Sequence, residues 1–283
     1  MKRNSRSSNK GRQQPTAGGS ASARKTWFDD STIALVAMAQ DRALKAKVKG
    51  SKGGDDRKEA RQRSSQLSTS SDTVGVSFAG AAFQADYFAS KFTKRGQLVY
   101  TILHDVLSKS PHVLPPSETL AVASFGGGPG TDAAGIVWIQ RELFPTSSVH
   151  CVLFDYETSW KRYVKTLDDL YGDAVSVSFA PCDVTHPLDT EPNRHVSEIE
   201  TMDILLFCFV CHETSARQRN LQFYLDVAIA AKVGALVILA DVKTKSKECL
   251  EQVAIAMASV RRIQRLRLSK APTAEAVVFR IEA

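Results

Sequence analysis

From residue 120 onward, short apolar runs alternate with longer stretches in which apolar residues recur every three or four positions. Runs of four to eight apolar residues fit strands buried on both faces, and the longer periodic stretches fit helices packed against them. The strands expected on this basis are Leu120–Phe125, His150–Phe154, Val175–Phe179, Met202–Val210 and Ala235–Ala240. The helices between them are Thr131–Phe144, Thr158–Tyr171, Ser215–Lys232 and Lys245–Val260, and a poorly patterned stretch, Thr190–Glu200, is a further helix candidate. This alternation predicts βαβ units and a parallel sheet. The end of the chain reads differently. Arg261–Leu268 and Ala274–Ile281 are separated only by Ser269 to Thr273, too few residues for a parallel crossover, so these two strands should pair antiparallel. The fold class expected is α/β: a seven-stranded, mostly parallel sheet with helices on both faces and an antiparallel C-terminal strand.

Upstream of that domain, which is taken as residues 117–283, the pattern is sparser. Residues 1–26 are rich in Ser, Gly, Gln, Lys and Arg and bury too little apolar surface to fold, so they read as a disordered tail. Residues 27–116 read as a helical extension: one helix from Trp27 to about Lys47, with Ile33, Val36 and Leu44 among its apolar positions, and another from about Lys94 to Ser108. A polar linker, residues 50–71, lies between them, and the aromatic cluster Phe83, Tyr87, Phe88 and Phe92 precedes the second helix. Tyr87 and Phe88 are candidates for a lid over a ligand, and plain packing is the other reading.

Composition and charge add partners to this picture. The chain of 283 residues is 43% hydrophobic and 24% charged, ordinary for a globular protein. It has no apolar run near the ~18–20 residues that cross a bilayer, nor the apolar core of a secretory signal, so no membrane association is expected. The formal net charge is +7, and residues 1–25 hold seven of the 37 Lys and Arg and no acidic residue. The other 30 basic residues are balanced by 30 acidic ones, so the excess sits in the tail. Such a tail attracts phosphates irrespective of sequence, which makes RNA a candidate partner. A second basic group, Arg261, Arg262, Arg265, Arg267 and Lys270, points the same way. Five cysteines, Cys151, Cys182, Cys208, Cys211 and Cys249, placed mostly in strands, fit reduced buried thiols and a nuclear, nucleolar or cytoplasmic location. An Arg- and Ser-rich, acid-poor start also fits an organellar transit peptide.

The sharpest local signal is Ala123-Ser124-Phe125-Gly126-Gly127-Gly128-Pro129-Gly130-Thr131-Asp132, between an expected strand and an expected helix. Glycines there let backbone approach a ligand closely, and the helix N-terminus behind them favours negative groups. The spacing Gly126-x-Gly128-x-Gly130 resembles the first motif of class I S-adenosylmethionine-dependent methyltransferases. The resemblance extends over about 165 residues and includes Asp155 after the second strand, Asp183 after the third, Asp203 near the start of the fourth, and the closing strand pair. It implies S-adenosyl-L-methionine as cofactor, held by Ser124, Gly126, Gly127, Gly128 and Gly130 at its amino-acid portion. It further implies that Asp155 meets the ribose, a role that Tyr156 or Glu157 could share, that Asp183 meets the adenine amino group, and that Phe209 lies beside the cofactor. The family's carboxylate two residues before the first glycine is replaced here by Ser124. Gly128-Pro129-Gly130-Thr131-Asp132-Ala133 also fits G-x-G-x-x-A, so a dinucleotide-binding fold is the rival reading.

In that family the substrate meets the end of the fourth strand, here Phe207 to Thr214. His212 and Glu213 are the candidate catalytic residues, as general base for an N–H or hydroxyl, and capping of the next helix is the other reading of Glu213. Cys208-x-x-Cys211-His212 spells a haem-attachment pattern but continues an apolar strand, whose alternation would put the two thiols on opposite faces. No second Cys/His pair completes a zinc site, and no metal is expected. The Asn/Asp-Pro-Pro-aromatic signature of adenine N6 methylation is absent. The function expected is methylation of RNA, as a ribosomal RNA base. The alternatives are a protein or small-molecule methyltransferase and a non-catalytic binding protein, and the oligomeric state is left open.

Overall fold

The computed structural model describes residues 21–48, 62, 78–114, 117–214, 221–242, 247–268 and 274–283. Three helical segments precede the sheet: α1 (Ala21–Val48), α2 (Ala81–Tyr87) and α3 (Thr93–Lys109), the last two joined through a π-helical turn, Phe88–Phe92. The alternating part follows: β1 (Thr119–Phe125), α4 (Thr131–Leu143), β2 (Ser148–Asp155), α5 (Lys161–Tyr171), β3 (Val175–Pro181), β4 (Ile204–Cys208), the single turn α6 (Cys211–Thr214), α7 (Gln222–Ala230), β5 (Leu236–Val242), α8 (Lys247–Val260), β6 (Ile263–Leu266) and β7 (Ala274–Ile281). The seven strands form one sheet in the order β3-β2-β1-β4-β5-β7-β6. β1 to β5 are mutually parallel, and β7 runs antiparallel to both β5 and β6.

The central strands are largely apolar because both of their faces are covered, with buried Ser124 of β1 and Asp241 of β5 as polar exceptions. Ile204, Leu206 and Cys208 of β4 pack into one core with Leu35, Ile102, Ile136 and Leu167 from α1, α3, α4 and α5. Leu205 and Phe207 point the other way, into a second core with Val227 of α7 and Val253 of α8. Cys208, the last residue of β4, and Cys211, the first of α6, fall in opposite cores, and all five thiols are free. No described helix is long and apolar enough to cross a membrane.

Several boundaries differ from those expected. Helix α1 begins at Ala21, not Trp27, so it takes in the last residues assigned to the tail; Ala and Arg favour helix there. Its inward face is Phe28, Leu35 and Ala39, whereas Ile33 is 65% and Leu44 60% exposed. The aromatics expected before the second helix are themselves helical, in α2 and the π turn. Thr190–Glu200 is not an α-helix: it contains only the 3-10 turns Glu191–Asn193 and Ile199–Thr201, because no apolar stripe gives it a face to bury. The linker 50–71, apart from Gln62, and the tail before Ala21 lie outside the described residues, as do 215–220 and the turn 269–273.

Helices α3 and α4 cross with almost no space between their backbones, and this contact docks the helical extension onto the sheet. A Cβ at Gly135 would lie 2.7 Å from the carbonyl oxygen of Gly96 and 2.9 Å from Val99 Cβ. Since main chain cannot swing aside, Gly135→Ala should lower unfolding free energy by about 1–3 kcal/mol despite alanine's better helix propensity. Urea denaturation checks this, and an unchanged midpoint would mean that the crossing is loose.

Candidate functional site

Strand order fixes where a ligand can sit. β1, β2 and β3 are laid down in one direction and β4 and β5 in the other, so the loops after β1 and β4 diverge and leave a crevice at the carboxyl ends of the strands. A cleft open to solvent occupies that place. Its wall includes Gly126, Gly128 and Pro129 after β1, Asp155 at the end of β2 and Tyr156 after it, Asp183 and Thr185 after β3, and Val210 and Glu213 after β4.

The glycine loop is held by main-chain bonds. Gly126 and Gly127 donate to the carbonyl of Phe154, at 2.8 and 3.2 Å, and Gly130 donates to Gly127 at 3.0 Å. Gly126, Gly128 and Gly130 all have positive φ, at 70°, 50° and 93°. A Cβ at Gly128 would meet nothing closer than Asp155 Oδ2 at 3.8 Å, so this residue leaves open space over the cleft. Asp155 ties the loop to β2: its Oδ2 accepts from Gly128 N at 2.9 Å and its Oδ1 from Glu157 N at 2.9 Å. Burial pushes its carboxyl up to about 7, against the lowering effect of those two bonds. Asp183 accepts from the backbone and hydroxyl of Thr185 at 2.9 and 2.7 Å, with His186 Nδ1 at 3.2 Å from its other oxygen.

This architecture differs from a dinucleotide-binding sheet, whose order 3-2-1-4-5-6 has no reversed strand between the fifth and the last. Here β7 is inserted antiparallel between β5 and β6. The fold is that of the class I methyltransferases. No protein-family profile matches the chain, and no curated protein matches it in sequence. Solved structures with a similar class I methyltransferase fold include the CMeT domain of the citrinin polyketide synthase, at 13% identity and TM-score 0.43 over 62% of this chain. The match spans only half, 50%, of that protein's chain. Others are the N-methyltransferase NodS from Bradyrhizobium japonicum (11% identity, TM-score 0.43, 69% of this chain and 98% of that one) and an rRNA methylase from Streptococcus thermophilus (16%, 0.37, 68% and 96%). Their acceptors differ in class, and the assignment of the fold rests on strand order and the reversed β7.

Of the residues expected at the methyltransferase site, the cleft brings together Gly126, Gly128, Asp155, Tyr156, Asp183 and Glu213. Ser124 lies beneath it, fully buried, and donates to Asp132 Oδ2 at 2.8 Å. A carboxylate is thus present beside the glycine loop, supplied by the first turn of α4 in place of the β1 position. Burial pushes Asp132 up to about 6, against the bonds from Ser124 and Thr131. Gly127 and Gly130 shape the turn from below, Gly130 packing against Leu167 and Leu153. Phe209, with φ 65°, lies under the guanidinium of Arg95, whose Cζ is 4.1 Å from the ring centroid. His212 is buried at 4% exposure and paired through Nδ1 with Asp241, itself fully buried. It does not line the cleft.

Tyr87 lines the cleft, whereas Phe88 is wholly buried among Phe92, Trp160 and Tyr163. Sequence reasoning missed Trp160 and Arg95, both of which line the cleft. Arg95 carried a signal. Leu98, Val99 and Ile102, at three, four and seven residues beyond it, form the buried stripe of α3, and a charge on such a stripe needs a buried partner. Burial also pushes the thiols of Cys182, Cys208 and Cys211 up, so none is poised as a nucleophile. Among the described residues no cluster of potential metal ligands occurs.

Proposed function

We propose that the chain is an S-adenosylmethionine-dependent methyltransferase acting on RNA, with a ribosomal RNA base as acceptor. The observation that carries the first half is the cleft at the β1/β4 divergence, with a glycine loop in its middle and carboxylates at the ends of β2 and β3. The donor set fits the cofactor. Asp155 and Asp183 offer acceptors for ribose hydroxyls and the adenine amino group, Tyr156 and Trp160 offer apolar ring surface, and Gly128 leaves room. When bound, S-adenosylmethionine supplies a methyl group on a sulfonium sulfur, a good leaving group. What remains for the protein is to align the acceptor, exclude water and take a proton. Glu213 is placed to take that proton, since it lines the cleft beyond β4 and burial raises its carboxyl, against the lowering effect of Arg95. His212 supports the turn that carries it.

The RNA acceptor is favoured by the seven basic residues of positions 1–25. The second basic group is divided along β6. Arg262 and Arg267 are exposed at its two ends, Arg265 pairs with Glu251 at 2.7 Å, Arg261 donates to the Ala231 carbonyl, and Lys270 lies outside the described residues. The test pairs two measurements on the full chain. Calorimetry should give micromolar binding of S-adenosylhomocysteine and none of NAD. RNA retention should fall as salt rises, and deleting residues 1–25 should cut the slope of log affinity against log salt by up to about 5 for single strands. NAD binding without S-adenosylhomocysteine binding would overturn the cofactor, and an unchanged slope would overturn RNA contact by the tail.

Asp155 sets a pH dependence. Only its ionised form offers both oxygens as acceptors to hydroxyls, so ligand binding should favour ionisation. Affinity for S-adenosylhomocysteine should therefore rise as pH climbs through about 7, by several-fold between about pH 6 and 8. Asp155→Asn should bind more weakly and show a flat profile over that range. A wild-type profile that is already flat would remove Asp155 from the contact.

A further inference from the structure

Arg95 enters the cleft from α3, outside the sheet, and among the described residues it is the only basic one that lines the wall. Its side chain is only 12% exposed. Nη1 donates to Tyr87 Oη at 2.6 Å, Nη2 reaches Glu213 Oε1 at 3.3 Å, and the guanidinium carbon lies over the Phe209 ring, 4.1 Å from its centroid. These contacts hold the group in one plane with few rotamers to lose. They occupy two of its five N–H donors, leaving three in a fixed fork. The other charges on the cleft wall, Asp155, Asp183 and Glu213, are all negative. They recur in spatial order along the strand ends: Asp183 after β3, Asp155 at the end of β2, then the glycine loop, then Glu213 after β4 with Arg95 of α3 against it. The cleft therefore has two acidic positions at one end and a buried cation at the other. A ligand with hydroxyls at one end and a carboxylate at the other matches that polarity.

We infer that Arg95 binds the carboxylate of the cofactor's amino-acid portion, so that the helical extension, and not the glycine loop alone, holds that end of the ligand. The inference rests on the S-adenosylmethionine reading. A planar guanidinium engages a carboxylate through two parallel N–H bonds, and a desolvated site strengthens them. Arg95 reaches the cleft because α3 is pressed onto α4 at Gly96 and Gly135, next to it in the chain and across the crossing. Cofactor capture and docking of the extension are thus coupled: loosening the crossing withdraws the cation.

The test uses two probes that share adenosine and sulfur and differ in the amino-acid arm, S-adenosylhomocysteine and 5′-methylthioadenosine, titrated against wild type, Arg95→Ala and Arg95→Lys. Arg95→Ala should weaken S-adenosylhomocysteine about 10- to 100-fold and 5′-methylthioadenosine less than about threefold. Arg95→Lys should fall between, since an ammonium keeps the charge but not the fork. Retained binding of 5′-methylthioadenosine by the variant reports a folded nucleoside site. Equal weakening of both probes, or of neither, overturns the inference. Wild type that binds neither probe overturns the cofactor reading and this inference with it, and wild type that binds both equally overturns only the role of Arg95.

Discussion

Gly128→Arg should abolish measurable binding of S-adenosylhomocysteine, a loss of at least about 100-fold or ~2.7 kcal/mol, while the protein stays folded. The two parts of this expectation have separate causes. Residue 128 has φ 50°, which costs a residue with a Cβ about 1–2 kcal/mol, within the reserve of an ordinary domain. The new Cβ would have no neighbour within 3.8 Å, so no packing is broken. Beyond Cβ, however, the side chain has only the cleft to occupy, and its guanidinium would reach the carboxylate of Asp155, 3.8 Å from that Cβ. It would fill the space and neutralise an acceptor meant for the ligand. Gly128→Ala separates the effects, because it carries the backbone strain without the long side chain and should lose far less affinity. Calorimetry reads the binding and thermal unfolding reads the fold. Near wild-type affinity in Gly128→Arg would place the ligand elsewhere.

The features that sequence made legible are those written in local pattern. Strands buried on both faces are apolar at most positions, so β1, β4 and β5 stood out as short apolar runs, and the five-residue gap before Ala274 required the antiparallel pairing that identifies the fold. Positive φ at three alternate positions can be met cheaply only by glycine, which is why the loop from Gly126 to Gly130 could be read as a turn built for close approach. Asp155 and Asp183 were legible only through the resemblance to the methyltransferase motifs, which places acidic residues after the second and third strands; in the structure both also hold local turns, Asp155 at Gly128 and Glu157 and Asp183 at Thr185.

The features that remained hidden depend on which distant surfaces meet. Arg95 lies upstream of the sheet, and although the buried stripe around it calls for a partner, nothing local says that the partner will be Glu213 and the Phe209 ring, beyond β4. The Ser124–Asp132 bond shows the same limit: the carboxylate absent from β1 returns eight residues later, and only the turn between them brings it back to the same place. In α1, an inner face of Phe28, Leu35 and Ala39 leaves Ile33 and Leu44 in water. A helix with apolar residues on several faces does not declare which one will be covered. His212 reads from sequence as a candidate catalytic base after the fourth strand, but its partner Asp241 sits near the end of a different strand, and that partner determines whether the ring faces the ligand or the core.

Asp241→Ala should be the most destabilising single change in this region, by about 3–5 kcal/mol, because it strands a buried imidazole without its counter-charge. Asp241 is fully buried; one oxygen pairs with His212 Nδ1 and the other accepts from the His212 backbone N–H at 3.0 Å. One side chain thus fastens the end of β5 to the turn after β4, and that turn carries Val210 and Glu213 into the cleft. Burial by itself would push the His212 ring down, but the hydrogen bond and charge of Asp241 outweigh it and the net shift is upward. A histidine whose folded value is raised contributes stability that is complete below its unfolded value of about 6.5 and is lost as pH rises through the folded one. In wild type, urea titrations from about pH 6 to 9 should show this contribution fading above about 6.5, and in Asp241→Asn it should be absent. The asparagine variant keeps an acceptor for the His212 N–H, so it should cost less than alanine and bind S-adenosylhomocysteine almost normally, since neither residue lines the cleft. Glu213→Gln should do the reverse, leaving stability nearly intact and lowering methyl transfer. A large loss of cofactor affinity in Asp241→Asn with unchanged stability would move the His212–Asp241 pair from the scaffold into the site.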